Sequence, residues 1–149
     1  RPGKAILVRY DLGAIPDGMR VTKAEWILRV NRHGPSETRL FLWCLLAPWG
    51  EGVCHRYRKQ VPEPVEWSSP GARGDGVDRA AIPSRTVTIN QDGEVVINVT
   101  EDVSMWHEGV LPNEGWMLTV PDRGSYVRLY WALVVSRYQP LLRVTYEPN

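Results

Sequence analysis

The segment Arg20–Asn31, RVTKAEWILRVN, alternates. Val21, Ala24, Trp26, Leu28 and Val30 fall mostly on one face, with Lys23, Glu25 and Arg29 opposite. A period of two marks a strand with one buried face, because successive strand side chains point to opposite sides. The same signature returns between turn signals along the chain. Lys4–Leu12 reads as a mostly buried strand, and GAIPDGM after it as a turn built on Pro16 and Asp17-Gly18. RHGPSE is a second turn. Thr38–Pro48, TRLFLWCLLAP, is apolar on both faces and reads as a central strand. Ser84–Asn90 leads through QDG, a hairpin turn, into EVVINV. Gly115–Val120, Ser125–Val135 and Pro140–Glu147 complete the series. About eight or nine strands with this spacing predict an all-β fold, and we expect a jelly-roll β-sandwich of two antiparallel sheets.

Composition agrees. Seven Trp and six Tyr accompany a single Phe, with 13 Gly and 12 Pro spread along the chain. Tyr and Trp suit half-buried sheet faces and binding surfaces, and Gly and Pro punctuate short strands. At 149 residues the chain is long enough for one domain with a sizeable core, so residues 1–149 are expected to form a single sandwich. The formal net charge of +1 gives no electrostatic footprint for nucleic acid. No apolar run approaches the ~20 residues that a membrane-spanning helix needs.

One short helix interrupts the strands. In VVINVTEDVSMWHEG the period changes after Val99. Thr100 is a candidate N-cap, Glu101 and Asp102 suit the positive end of the helix dipole, and Gly109 suits a left-handed C-cap. Val103, Trp106 and Val110, spaced i, i+3, i+7, give one apolar face. This pattern describes a helix that closes one end of a sandwich with Trp106 as its plug, and His107 pointing away from the buried face.

From Trp49 to Pro83 the pattern dissolves, apart from a short strand candidate at Val65–Ser68. A stretch this long inside a compact domain is unusual and is often functional. It holds the sharpest local feature, HRYRKQ. His55, Arg56, Tyr57, Arg58 and Lys59 combine an imidazole, three cations and an aromatic ring. Arg and Lys grip carboxylate or sulfate, and Tyr stacks on sugar faces, so uronic-acid chains suit such a surface. The alternative is a solvated loop whose cations pair with Glu51, Glu63 or Glu66. GARGDGVD places Asp75 and Asp78 in a Gly-rich loop: either a plain turn or a calcium site supplemented by backbone carbonyls. Cys44 and Cys54 are either bridged, as an exported protein permits, or free thiols. The spacing of these cysteines to His55 differs from the C-x-x-C-H of covalent haem attachment. His33, His55 and His107 lie in separate segments, and none sits in a nucleophile or zinc motif, so catalysis is not expected.

The ordered set AILVRYDLGAIPDGMRVTKAEWILRV, APWGEG, VEWSSPGARGDGVD, VVINVTEDVSMWHEGVLPNEGWMLTV and PLLRVTY resembles the DNRLRE-type domains. These are extracellular bacterial and archaeal jelly rolls related to carbohydrate-binding modules of the alginate-binding type. Tyr10-Asp11-Leu12, Ile15-Pro16 and Val21-Thr22-Lys23-Ala24 occupy the places of the family's opening motifs. The resemblance implies a non-catalytic module, extracellular or in the cell envelope, that attaches a larger protein or cell surface to polysaccharide. A structural role, packing against other protein subunits in an envelope complex, is the alternative. Two features depart from the family. The usual first hairpin ahead of AILVRYDL is absent, and HRYRKQVPEP looks like an insertion.

Overall fold

The computed structural model describes residues 5–34, 37–122, 124–129 and 139–149. Ten strands and one helix occur among them: β1 (Ile6–Val8), β2 (Met19–Gly34), β3 (Thr38–Cys44), β4 (Tyr57–Lys59), β5 (Val65–Glu66), β6 (Arg85–Ile89), β7 (Gly93–Asn98), α1 (Thr100–His107), β8 (Trp116–Thr119), β9 (Tyr126–Leu129) and β10 (Leu141–Pro148). The first sheet has the order β1-β8-β3-β6 and the second β10-β2-β7, with β9 also on β2. All of these pairs are antiparallel. The β2–β3 and β6–β7 connections each pass from one sheet to the other. Strands distant in sequence thereby become neighbours, the interleaving of a jelly roll. The expected all-β sandwich with one short helix is the fold observed.

Val30 pairs with Gly93 of β7 and with Leu129 of β9, so those strands lie on opposite sides of β2. β10 pairs with the earlier part of β2, also opposite β7. A 16-residue strand can serve several partners in this way. It runs through Arg32–Gly34, which the sequence pattern assigns to a turn. Its partner register skips Thr22, since Thr145 pairs with Lys23 and Tyr146 with Val21. That bulge explains why Val21 and Ala24, an odd number of positions apart, both pack on the core. Of the expected strand Ser125–Val135, Tyr126–Leu129 is observed, and Tyr130–Val135 lie outside the described residues. Of the expected strand Lys4–Leu12, Ile6–Val8 is observed and Lys4 lies outside the described residues; β1 is half-buried and stands at the edge of the first sheet among the described residues.

The core between the sheets is built by alternate residues. Ala24, Trp26, Leu28 and Val30 of β2 face Leu40, Leu42 and Cys44 of β3 and Trp116 and Leu118 of β8. Trp26 and Trp116 stack with ring centroids 5.1 Å apart, and Trp106 of α1 lies 4.7 Å from Trp116. Trp26 and Trp116 keep their N–H groups bonded: Trp26 donates to the Tyr10 hydroxyl at 2.8 Å and Trp116 to the buried Asp102 carboxylate at 2.8 Å.

Helix α1 closes one end of the sandwich, as expected, with two corrections. Thr100 does not cap it. Its hydroxyl accepts from Ala24 N at 2.9 Å and donates to Asn98 Oδ1 at 2.8 Å, while Asn98 Oδ1 also accepts from Thr100 N at 3.0 Å. The strand-to-helix corner is thus tied to β2. Val110 does not continue the apolar face. The helix ends at His107, Gly109 turns the chain with φ 74°, and Val110 is 64 % exposed.

Candidate binding site

The two faces of β3 explain its apolar sequence. Leu40, Leu42 and Cys44 face the main core, while Phe41, Trp43 and Leu45 face the other way. That outer face is covered by the segment between β3 and β6, the stretch without periodicity. Trp43, Leu45, Trp67, Ala72 and Met117 form a second buried cluster, with Leu7, Phe41, Ala47, Trp49 and Val53 around it. A sheet face carrying Leu7, Trp43 and Met117 cannot stay in water, so the segment folds back over it.

Local bonds shape the cover. β4 and β5 pair as a small antiparallel ribbon. Trp67 donates to the Cys54 carbonyl at 2.9 Å, and Trp49 to the Glu114 carbonyl at 2.6 Å. Arg9 lies 4.6 Å over the Trp49 ring. The loop after β5 winds around one carboxylate: Asp78 accepts from Ser68 N, Ser69 N and Gly74 N at 2.9, 3.0 and 2.9 Å. A Cβ at Gly74 would collide with Ser68 Oγ and the Asp78 carboxylate, so only glycine lets the loop close this tightly. Burial pushes the Asp78 carboxyl up, but the three amides and the Ser68 hydroxyl outweigh it and hold the group below the usual carboxylate range.

Between cover and sheet a cleft of about 800 Å³ remains, within the ~300–1,000 Å³ of small-ligand sites. Leu7, Phe41, Trp43, Met117 and Thr119 supply its floor, and Trp49, Trp67 and Ala72 its walls. His55, Arg73 and Arg79 also line it, and none of the described lining residues is acidic. Arg79 lies 3.6 Å over the Trp43 ring and is held by Asp75 at 3.2 Å. Trp43 donates to the Thr119 hydroxyl at 2.9 Å. Arg79 takes one face of the Trp43 ring and Trp67 is buried, so half-buried Phe41 and Trp49 are the lining rings on which a planar ligand face can lie, while exposed Arg73 can meet an anionic group.

Of the cationic run, only His55 reaches this cleft. Arg56 pairs with Glu66 at 2.6 Å and lies 5.2 Å over the Tyr57 ring. Arg58 donates to the Pro48 carbonyl at 2.6 Å. Tyr57 and Lys59 belong to β4. Asp75 and Asp78 have partners within the chain: Asp75 holds Arg79, and both Asp78 oxygens accept backbone amides. Cys44 and Cys54 are not bridged. Cys44 points into the main core and Cys54 lies in the cover beyond the opposite face of the same sheet. Burial, with the nearby Asp102 charge, pushes the Cys44 thiol up to about 12, so it packs as a small apolar group.

Phe41, Trp43, Trp49, Arg73 and Arg79 escape a reading of the sequence by local clusters. The signal that points to them is β3 itself. A strand apolar on both faces needs a second cover, and the only long stretch without strand pattern follows it directly. No protein-family model matches the chain, and no curated protein matches it.

Proposed function

We propose that this protein is a non-catalytic β-sandwich module that attaches a larger protein or a cell surface to acidic polysaccharide, outside the cytoplasm or in the cell envelope. The cleft beneath the covering segment is its sugar site. The observation that carries this reading is the lining: among the described residues it holds His55, Arg73 and Arg79, no acidic side chain, and the half-buried rings of Phe41 and Trp49. Uronic-acid residues match it, since their carboxylates suit Arg73 and His55 and their C–H faces suit the Phe41 and Trp49 rings. The resemblance to DNRLRE-type domains supports the same class of ligand.

Calorimetry against oligomers of uronic acid tests the proposal. We expect binding that weakens as salt rises, because rim charges are screened. Arg73→Ser should lower affinity roughly tenfold, the scale of a lost charge-assisted hydrogen bond, without lowering the melting temperature. The triple change of Arg56, Arg58 and Lys59 to Ser should leave affinity within about twofold, since none of the three lines the cleft. Equal loss in both variants would place the site on the ribbon instead.

One observation favours the second reading, an assembly subunit. β1 is an edge strand, paired with β8 alone among the described residues. Such an edge offers main-chain donors and acceptors to a strand from another subunit. A partner that slows amide exchange at Ile6–Val8 would support it; unchanged exchange in the assembled complex would remove it.

A further inference from the structure

The outer face of the first sheet continues past the covering segment. Residues 39, 41 and 43 of β3 share this face. Trp43 lies under Arg79, and half-buried Phe41 belongs to the floor of the cleft. Arg39 lies beyond, exposed and outside the cleft lining. On β6, Thr86 is the register partner of Phe41 and Thr88 that of Arg39, and both are exposed. Arg39 is held in place: its Nε and Nη2 donate to both oxygens of Asp122 at 3.0 and 2.6 Å, and its guanidinium lies 5.5 Å from the Phe41 ring. That pairing leaves the Nη1 protons for another acceptor. At about 3.3 Å per strand residue, the row from Trp43 to Arg39 runs roughly 13 Å.

A site for a chain end would close after one or two units. This one leads onto a strip that offers an aromatic ring, two hydroxyls and an oriented guanidinium. We infer that the ligand is a chain of several sugar units bound along its interior. The cleft takes the charged units, and the strip of Phe41, Thr86, Thr88 and Arg39 takes the units that follow. This inference rests on the proposed reading of the cleft as a sugar site.

Titration with uronic-acid oligomers of two, four and six units tests it, using the wild type, Arg39→Ala and the double variant Thr86→Ala/Thr88→Ala. The wild type should bind the hexamer at least roughly tenfold more tightly than the dimer. Both variants should lose that gain and keep the affinity for the dimer. The threonine variant leaves the Arg39–Asp122 pair intact, so its loss cannot come from a disturbed pair, and melting curves verify folding of both. Equal wild-type affinity at all three lengths overturns the strip and leaves the cleft reading standing. Binding at no length overturns both.

Discussion

Asp78 is 1 % exposed, in a place where an unpaired carboxylate would be strongly unfavourable. It stays charged because Ser68, Ser69 and Gly74 turn their amides onto it. The loop in turn keeps its shape because the carboxylate satisfies three donors that would otherwise be stranded. The pH dependence follows. The folded carboxyl titrates below its ordinary value of 3.8, so the unfolded chain binds the proton first as pH falls. Asp78 therefore contributes its full stabilisation above about pH 5 and loses it as pH drops through the folded value. Asp78→Asn replaces one acceptor oxygen by an NH₂ group facing amide donors. We expect a loss of about 1–3 kcal/mol at pH 7 and a flatter acid limb below pH 4. Denaturant melts across pH 2.5–7 measure both. Parallel acid limbs for wild type and variant would show that Asp78 is not the titrating anchor.

At the level of elements, α1 shows what a sequence can and cannot tell. Its place after a strand, its acidic first turn and its terminal glycine are local features, and all are observed. Trp106 is 6 % exposed and meets Trp116, as the plug reading requires. His107 makes a contact that the sequence does not announce. Its ring is partly buried, with Nε2 2.8 Å from the Met19 carbonyl, which can only accept, so this nitrogen carries the proton. The contact joins residues 88 positions apart, and no local pattern could announce it. The strands divide in the same way. Alternation within β2 reveals its buried face, but neither the bulge at Thr22 nor the path of the segment after β3 is written in a local period. The cleft was legible only as a need for cover, because its arginines come from a loop whose shape depends on Asp78. For α1 we expect Trp106→Ala to cost about 3–5 kcal/mol, as large aromatic truncations in cores do. His107→Ala should cost about 1 kcal/mol, one net hydrogen bond. Chemical melts of the two variants would contradict this account if the losses were equal.

On the scale of the whole molecule, the first sheet is a partition between two cores. The inner one is bounded by both sheets and α1, and the outer one by the segment between β3 and β6. That segment is largely bonded to itself: Gly50 N to Arg58 O, Cys54 N to Tyr57 O, Gln60 N to Glu51 O, Trp67 N to Arg56 O and Gly71 N to His55 O. A unit with its own hydrogen bonds, resting on an outer cluster that it shares with one face of the sheet, can open while the sandwich stays folded, the behaviour of a separate cooperative unit. The amides of Gly50, Cys54, Gln60, Trp67 and Gly71 should therefore exchange as one group, with less protection than those of β3 and β8. Trp67→Ala removes the ring that ties the cover to the outer cluster. It should abolish protection in this group and sugar binding in the cleft, yet leave the amides of β2 as protected as before. Native-state hydrogen exchange followed by mass spectrometry resolves the two groups. If Trp67→Ala lowers protection in β2 and in the cover by the same amount, the two cores unfold together and the cover is no independent unit. If the cover alone loses protection but sugar affinity is unchanged, the ligand does not sit beneath it.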